Sequence, residues 1–178
     1  QLRRELGWAV VEDSGRGWRR VVPRPQPREV VEWEAIRALL EREVIAVAVG
    51  GGGIPVVRRD DGSLAGVDAV IDKDRASALL ASMIGAHTLV IITSVDRVYR
   101  RFGKPDAEAL AVLDSGRAAA LLAAGEFPAG SMGPKIESAL AFLAGGGREV
   151  VITDPDSLAA AVRGEAGTRI VPAGAPAR

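Results

Sequence analysis

The chain has 178 residues, 48% hydrophobic and 26% charged, with a formal net charge of zero. That length fits one domain or part of a larger one with a real core, and zero net charge supplies no field to draw it to nucleic acid or an anionic membrane. The absence of cysteine and the single histidine, His87, exclude disulfides, thiolate or poly-histidine metal sites and a thiol nucleophile within the chain.

Gln1–Gly7 reads as the last turn of a helix closed by a glycine cap, and a start there leads us to expect an N-terminal portion beyond this chain. Trp8–Glu12 and Trp18–Val22 read as two short strands of a hairpin around the turn Asp13–Gly17. Pro23–Pro27 must be extended. Strands then alternate with helices. The apolar spacing of Trp33, Ala35, Ile36, Leu39 and Leu40 predicts a helix over 33–43. The run Val44–Val49 has the pattern of a strand buried on both faces and ends in Gly50–Gly53. Lys73–Gly85 is an alanine-rich helix capped by Asp72, and Thr88–Thr93 another buried strand. Ser115–Ala124 and Pro134–Ala144 are helices, the second with proline in its first turn. Glu149–Thr153 is a strand, Asp156–Arg163 a helix and Thr168–Val171 a last strand. The tail, 172–178, is expected to fray. His87 is read as structural, and Trp8, Trp18 and Trp33 as core or hairpin packing.

This order predicts an α/β fold with an open, mostly parallel sheet and helices on both faces. Residues 1–28 form a preliminary segment and 29–171 the α/β region. In such sheets ligands bind beyond the carboxyl ends of the strands. No apolar run is long enough to span a bilayer and no signal pattern opens the chain, so a cytoplasmic protein is the default expectation.

Twenty of the 23 cationic residues are arginine. The three lysines therefore stand out, because lysine offers a compact ammonium rather than a planar fork. Lys73 lies in Val70-Ile71-Asp72-Lys73-Asp74 and Lys135 in Gly130-Ser131-Met132-Gly133-Pro134-Lys135. Both are at predicted helix starts, where the helix dipole disfavours a cation and favours an anion. A phosphate neighbour explains both placements, with Asp74 holding a lysine by an ion pair. Gly50, Gly51, Gly52 and Gly53, directly after an apolar run, suit close backbone approach to a ligand oxygen. They form neither a Walker A motif nor a dinucleotide fingerprint. The segment Thr93-Ser94-Val95-Asp96-Arg97-Val98-Tyr99 is either a plain turn with Tyr99 as core or the lining of a nucleoside pocket.

Together these motifs resemble the carbamate kinases of the amino-acid kinase family. The matching stretches are Gly17–Pro23, Gly50–Val56, Val70–Asp74, Val95–Tyr99, Gly103–Asp106 and Ala129–Lys135, in the family's order. The resemblance covers only the C-terminal portion of that family, whose first glycine-rich loop has no counterpart here. It implies reversible phosphoryl transfer between ATP and carbamate, with carbamoyl phosphate as the other phosphorylated species, in arginine fermentation. It also implies Mg2+ with ATP or ADP, no direct protein metal ligand, and a homodimer when full length. By motif, Lys73, Asp74 and Lys135 are the catalytic group, and Gly50–Gly53 cradle the acceptor or its phosphate. Thr93, Val95, Asp96, Val98, Tyr99, Met132, Gly133 and Lys135 line the nucleotide site. Ser94 and Arg97 stand where the family commonly has Asp and Gly, and Arg24 where it has Ser. The isolated chain is expected to be inactive. The other readings are a related phosphotransferase with a different acceptor, and a catalytically silent nucleotide-binding fragment.

Overall fold

A computed structural model describes residue 5 and residues 7–12 and 17–175. The expected helix turn at 1–4, the turn at 13–16 and the last residues of the tail lie outside the described residues. The elements in chain order are β1 (Val10–Glu12), β2 (Trp18–Arg20), α1 (Trp33–Leu40), β3 (Val56–Arg58), β4 (Leu64–Gly66), α2 (Lys73–Met83) and β5 (Thr88–Ile92). They continue with β6 (Val98–Arg100), β7 (Glu108–Leu110), β8 (Val112–Asp114), α3 (Ser115–Ala123), α4 (Met132–Ala144), β9 (Glu149–Thr153), α5 (Leu158–Val162) and β10 (Thr168–Val171).

The central sheet has the order β5-β9-β10-β8. β5 runs parallel to β9 and β10 parallel to β8, whereas β9 and β10 are antiparallel. The sheet is thus mixed, with two of its three pairings parallel. Three two-stranded ribbons, β1-β2, β3-β4 and β6-β7, complete the strands. Helices α2, α3 and α4 pack side by side, and α4 also packs on β5 and β9. The core lies between them: Ile136, Ala139 and Phe142 of α4 meet Val150 and Ile152 of β9, Ile170 of β10 and Leu113 of β8. Burial of such side chains stabilises each by about 1.5–3 kcal/mol. No helix among the described residues is long and apolar enough to cross a membrane.

Four expectations need correction. Val44–Val49 is not a strand: no described strand pairs with it, and Ile45 and Val47 are 92% and 99% exposed. An apolar run supplies the side chains of a buried strand but not the neighbour that its backbone N–H and C=O groups require. Helix α1 forms, yet buries none of its residues; its apolar stripe faces no described layer. Trp18 is 74% exposed and is not core, whereas the indole of Trp8 lies under the Arg20 guanidinium, 4.6 Å from the ring centroid. Helix α4 also starts earlier than Pro134, at Met132, because proline is tolerated anywhere in the first turn, where no N–H is needed.

Candidate active site

Helix α2 begins where Asp72 turns out of extended backbone, and its carboxylate accepts hydrogen bonds from the N–H groups of Asp74 and Arg75. That cap uses the short acidic side chain to satisfy donors the helix leaves open. It also fixes the direction of the next two side chains. Asp74 is buried. One of its oxygens accepts from Lys73 Nζ at 2.7 Å and the other from Lys135 Nζ at 2.9 Å. Lys135 comes from the first turn of α4, whose N-terminus follows a tight turn in which Gly133 N donates to the Pro128 carbonyl at 2.9 Å. A Cβ on Gly133 would stand 3.1 Å from that same oxygen. Two helix N-termini therefore meet at one carboxylate, 61 residues apart in sequence.

The two lysines differ in setting. The Lys135 side chain is 13% exposed and that of Lys73 55% exposed. Burial pushes the Asp74 carboxyl up, but the hydrogen bonds and charges of Lys73 and Lys135 outweigh it and hold the group below the ordinary carboxylate range. Asp74 is thus an anion that aims two ammonium groups at paired helix starts, and Lys73, Asp74 and Lys135 together carry one net positive charge. That is an arrangement for an anionic ligand.

The glycine loop is brought to the same place. Gly52 is buried, with φ of 134°, and a Cβ on it would lie 2.0 Å from the carbonyl oxygen of Ile71. Only a glycine allows the loop to lie on the backbone that leads into Asp72-Lys73-Asp74. Val49, immediately before the loop, has φ of 54°, a left-handed conformation that strains a β-branched residue. The Pro23–Pro27 segment also reaches this backbone: Val70 N donates to the Pro23 carbonyl at 3.0 Å, and Arg24 pairs with Asp72 at 3.6 Å. Arg24 thus adds a third cation beside the lysines.

The 93–99 segment is held by a different set of contacts. It leaves the carboxyl end of β5, where Thr93 N donates to the Thr153 carbonyl at 2.8 Å. The Tyr99 hydroxyl donates to Asp96 Oδ1 at 2.9 Å, and this bond, with burial second, raises the Tyr99 phenol above its ordinary value. Val95, Asp96 and Tyr99 are half-buried and Val98 is buried. Met132 packs against the core. Three contacts went unforeseen because nothing local marks them. Arg100 Nε and Arg101 N both donate to the Glu126 carboxylate at 3.3 Å, and Val98 N donates to the Thr168 hydroxyl.

The amino acid kinase family model matches residues 5–154. The chain belongs to the amino acid kinase family. Among its curated relatives are the carbamate kinase-like protein YahI of Escherichia coli K12, 52% identical over 92% of this chain and 52% of that protein, and a carbamate kinase of Halobacterium salinarum, 50% identical over 90% of this chain and 52% of that protein. The solved carbamate kinase of Giardia lamblia bound to AMP-PNP matches 96% of this chain and 54% of its own length, with a TM-score of 0.88 and 40% identity. The α/β architecture is therefore that of the amino acid kinase fold. The chain spans about half the length of the curated relatives it matches.

Proposed function

We propose that the protein carrying this chain is a carbamate kinase, transferring a phosphoryl group reversibly between ATP and carbamate. The observation that carries the reading is the Asp74 carboxylate, each of whose oxygens holds a lysine from a different helix start. Phosphoryl transfer requires positioning and charge neutralisation more than covalent chemistry. In the direction of ATP formation, the bond from phosphorus to the carbamate oxygen breaks as a bond from a terminal ADP oxygen forms. Lys73 and Lys135 bind the phosphoryl oxygens and stabilise the charge spread over them. Asp74 keeps both ammonium groups pointed at that position and is not itself a base, because both its oxygens are occupied. Gly50–Gly53 would receive carbamate or its phosphate through backbone N–H groups. Thr93–Tyr99 with Met132 and Gly133 would line the nucleotide.

Among the described residues no group of three or more acidic or histidine side chains is gathered that would hold a metal. The ATP or ADP would carry Mg2+ on its phosphates. We place the protein in the cytoplasm, as a homodimer when full length, in arginine fermentation. The reading is supported by the relatives named carbamate kinase, by the AMP-PNP-bound neighbour and by the order of the motifs. Its test is ATP formation by the full-length protein from ADP with carbamoyl phosphate, set against acetyl phosphate. Turnover with carbamoyl phosphate alone is expected. Turnover only with another acyl phosphate would assign a different acceptor, and ADP binding without turnover would make the site a silent nucleotide-binding module.

A further inference from the structure

The loop 93–97 is tied down at both ends by one end of the central sheet, where β9 finishes and β10 starts. At its start, Thr93 N donates to the Thr153 carbonyl, the last residue of β9. At its end, Val98 N donates to the Thr168 Oγ1 at 2.8 Å, and the same hydroxyl donates its own proton to the Leu110 carbonyl. Thr168 opens β10 opposite Ile152 and is 0% exposed. Val98 and Leu110 face each other across the β6-β7 ribbon. One hydroxyl therefore grips both strands of the ribbon at its base, with its proton committed to one and a lone pair to the other. The approach is close. Gly167, with φ of 74°, sits tightly: a Cβ there would lie 3.0 Å from the Ile152 carbonyl oxygen and 3.2 Å from Thr153 Cβ.

We propose that Thr168 is a positioning residue for nucleotide binding. It touches no ligand, being fully buried, and acts through the Val98 N–H to hold Thr93–Tyr99 in one conformation. The inference rests on the reading above that this segment lines the nucleotide. A loop fixed before the ligand arrives loses less freedom on binding and so binds more tightly. Lys73, Asp74 and Lys135 stand on α2 and α4, which Thr168 does not hold. Removal of the hydroxyl should therefore weaken nucleotide affinity and spare the chemical step.

The test uses the full-length protein and its Thr168→Val, Thr168→Ser and Thr168→Ala variants, with ADP affinity by calorimetry and steady-state constants for ATP formation. Thr168→Val should raise the Kd and KM for ADP about tenfold, the effect of leaving a buried N–H unpaired. kcat and the KM for carbamoyl phosphate should stay within about twofold. Thr168→Ser, which keeps the hydroxyl, should bind ADP as the wild type does. Should the valine variant fail to fold, the difference between serine and alanine isolates the hydroxyl in its place. Unchanged ADP affinity in Thr168→Val, an equal loss in Thr168→Ser, or a joint fall in kcat and both affinities would overturn the inference. A wild type that binds ADP but makes no ATP from carbamoyl phosphate would sink the kinase reading alone, since the ADP titrations still decide the role of Thr168.

Discussion

Substituting Gly52 by alanine tests whether the glycine loop is seated on the backbone of the lysine motif. The added Cβ would lie 2.0 Å from Ile71 O and 2.8 Å from Ile71 C, against 3.4 Å for ordinary contact. The obstacle is backbone, which cannot swing aside as a side chain can. Separation must grow by more than an ångström, and the overlap costs about 1–3 kcal/mol as in other overpacked sites. The φ of 134° adds about 1–3 kcal/mol of strain for any residue with a Cβ. A loss of about 2–5 kcal/mol follows, limited by the cost of lifting the loop off Ile71. The control is Gly51→Ala: nothing lies within 4 Å of a Cβ there and the backbone is outside the left-handed region, so stability should hold or rise by up to about 1 kcal/mol. Urea unfolding midpoints of the two variants give the comparison. Equal midpoints would show that the loop does not rest on Ile71, and the contiguity of the glycines with Lys73 and Asp74 would fall with it.

Other outcomes can be checked alongside. Asp74 has its carboxyl held below the ordinary range, so the stability it contributes is present above the unfolded-state value of about 3.9 and is lost as pH falls through the folded value. Asp74→Asn should flatten the acid limb of the stability curve and cost about 2–3 kcal/mol at neutral pH, because the half-buried Lys135 is left without its anionic partner; an acid limb identical to wild type would refute the role given to this carboxylate. Ile45→Glu and Val47→Glu, at the exposed run before the glycine loop, should each change the stability of this chain by less than about 0.5 kcal/mol. Thermal melting that drops by many degrees in either variant would mean that the run is buried after all.

Three of the four central-sheet strands and the helices beneath them were legible because each carries its own pattern; β8, three residues long, was not. Thr88–Ile92 and Glu149–Thr153 are short apolar runs bounded by glycine or polar turns, and Asp72 announces α2 by its cap. Lys73 and Lys135 stand out by scarcity, with arginine nearly everywhere else and both at predicted helix starts, and the structure brings the two to one carboxylate. Local patterns could not say which partners would be near. Val44–Val49 has the composition of a buried strand and no described neighbour, so it lies open. The strands of β3-β4 and β6-β7 are three residues long, as are those of β1-β2, a hairpin announced by its turn residues at 13–17 rather than by alternation. The partners of Thr168, Glu126 and Arg24 became visible only when residues far apart in sequence were brought together. A lone threonine at the start of a strand looks like any other until its hydroxyl is seen between Val98 and Leu110.

Under the proposed function, Lys135, held by Asp74, binds the phosphoryl group in transfer. The most direct test of this role is kcat/KM for ATP formation from ADP and carbamoyl phosphate by the full-length Lys135→Ala variant. Removal of a half-buried, aimed ammonium should lower it by about 10²–10³-fold while the protein remains folded. A value within about threefold of wild type would contradict the assignment, since a cation that stabilises the transferring group cannot be lost at so small a cost.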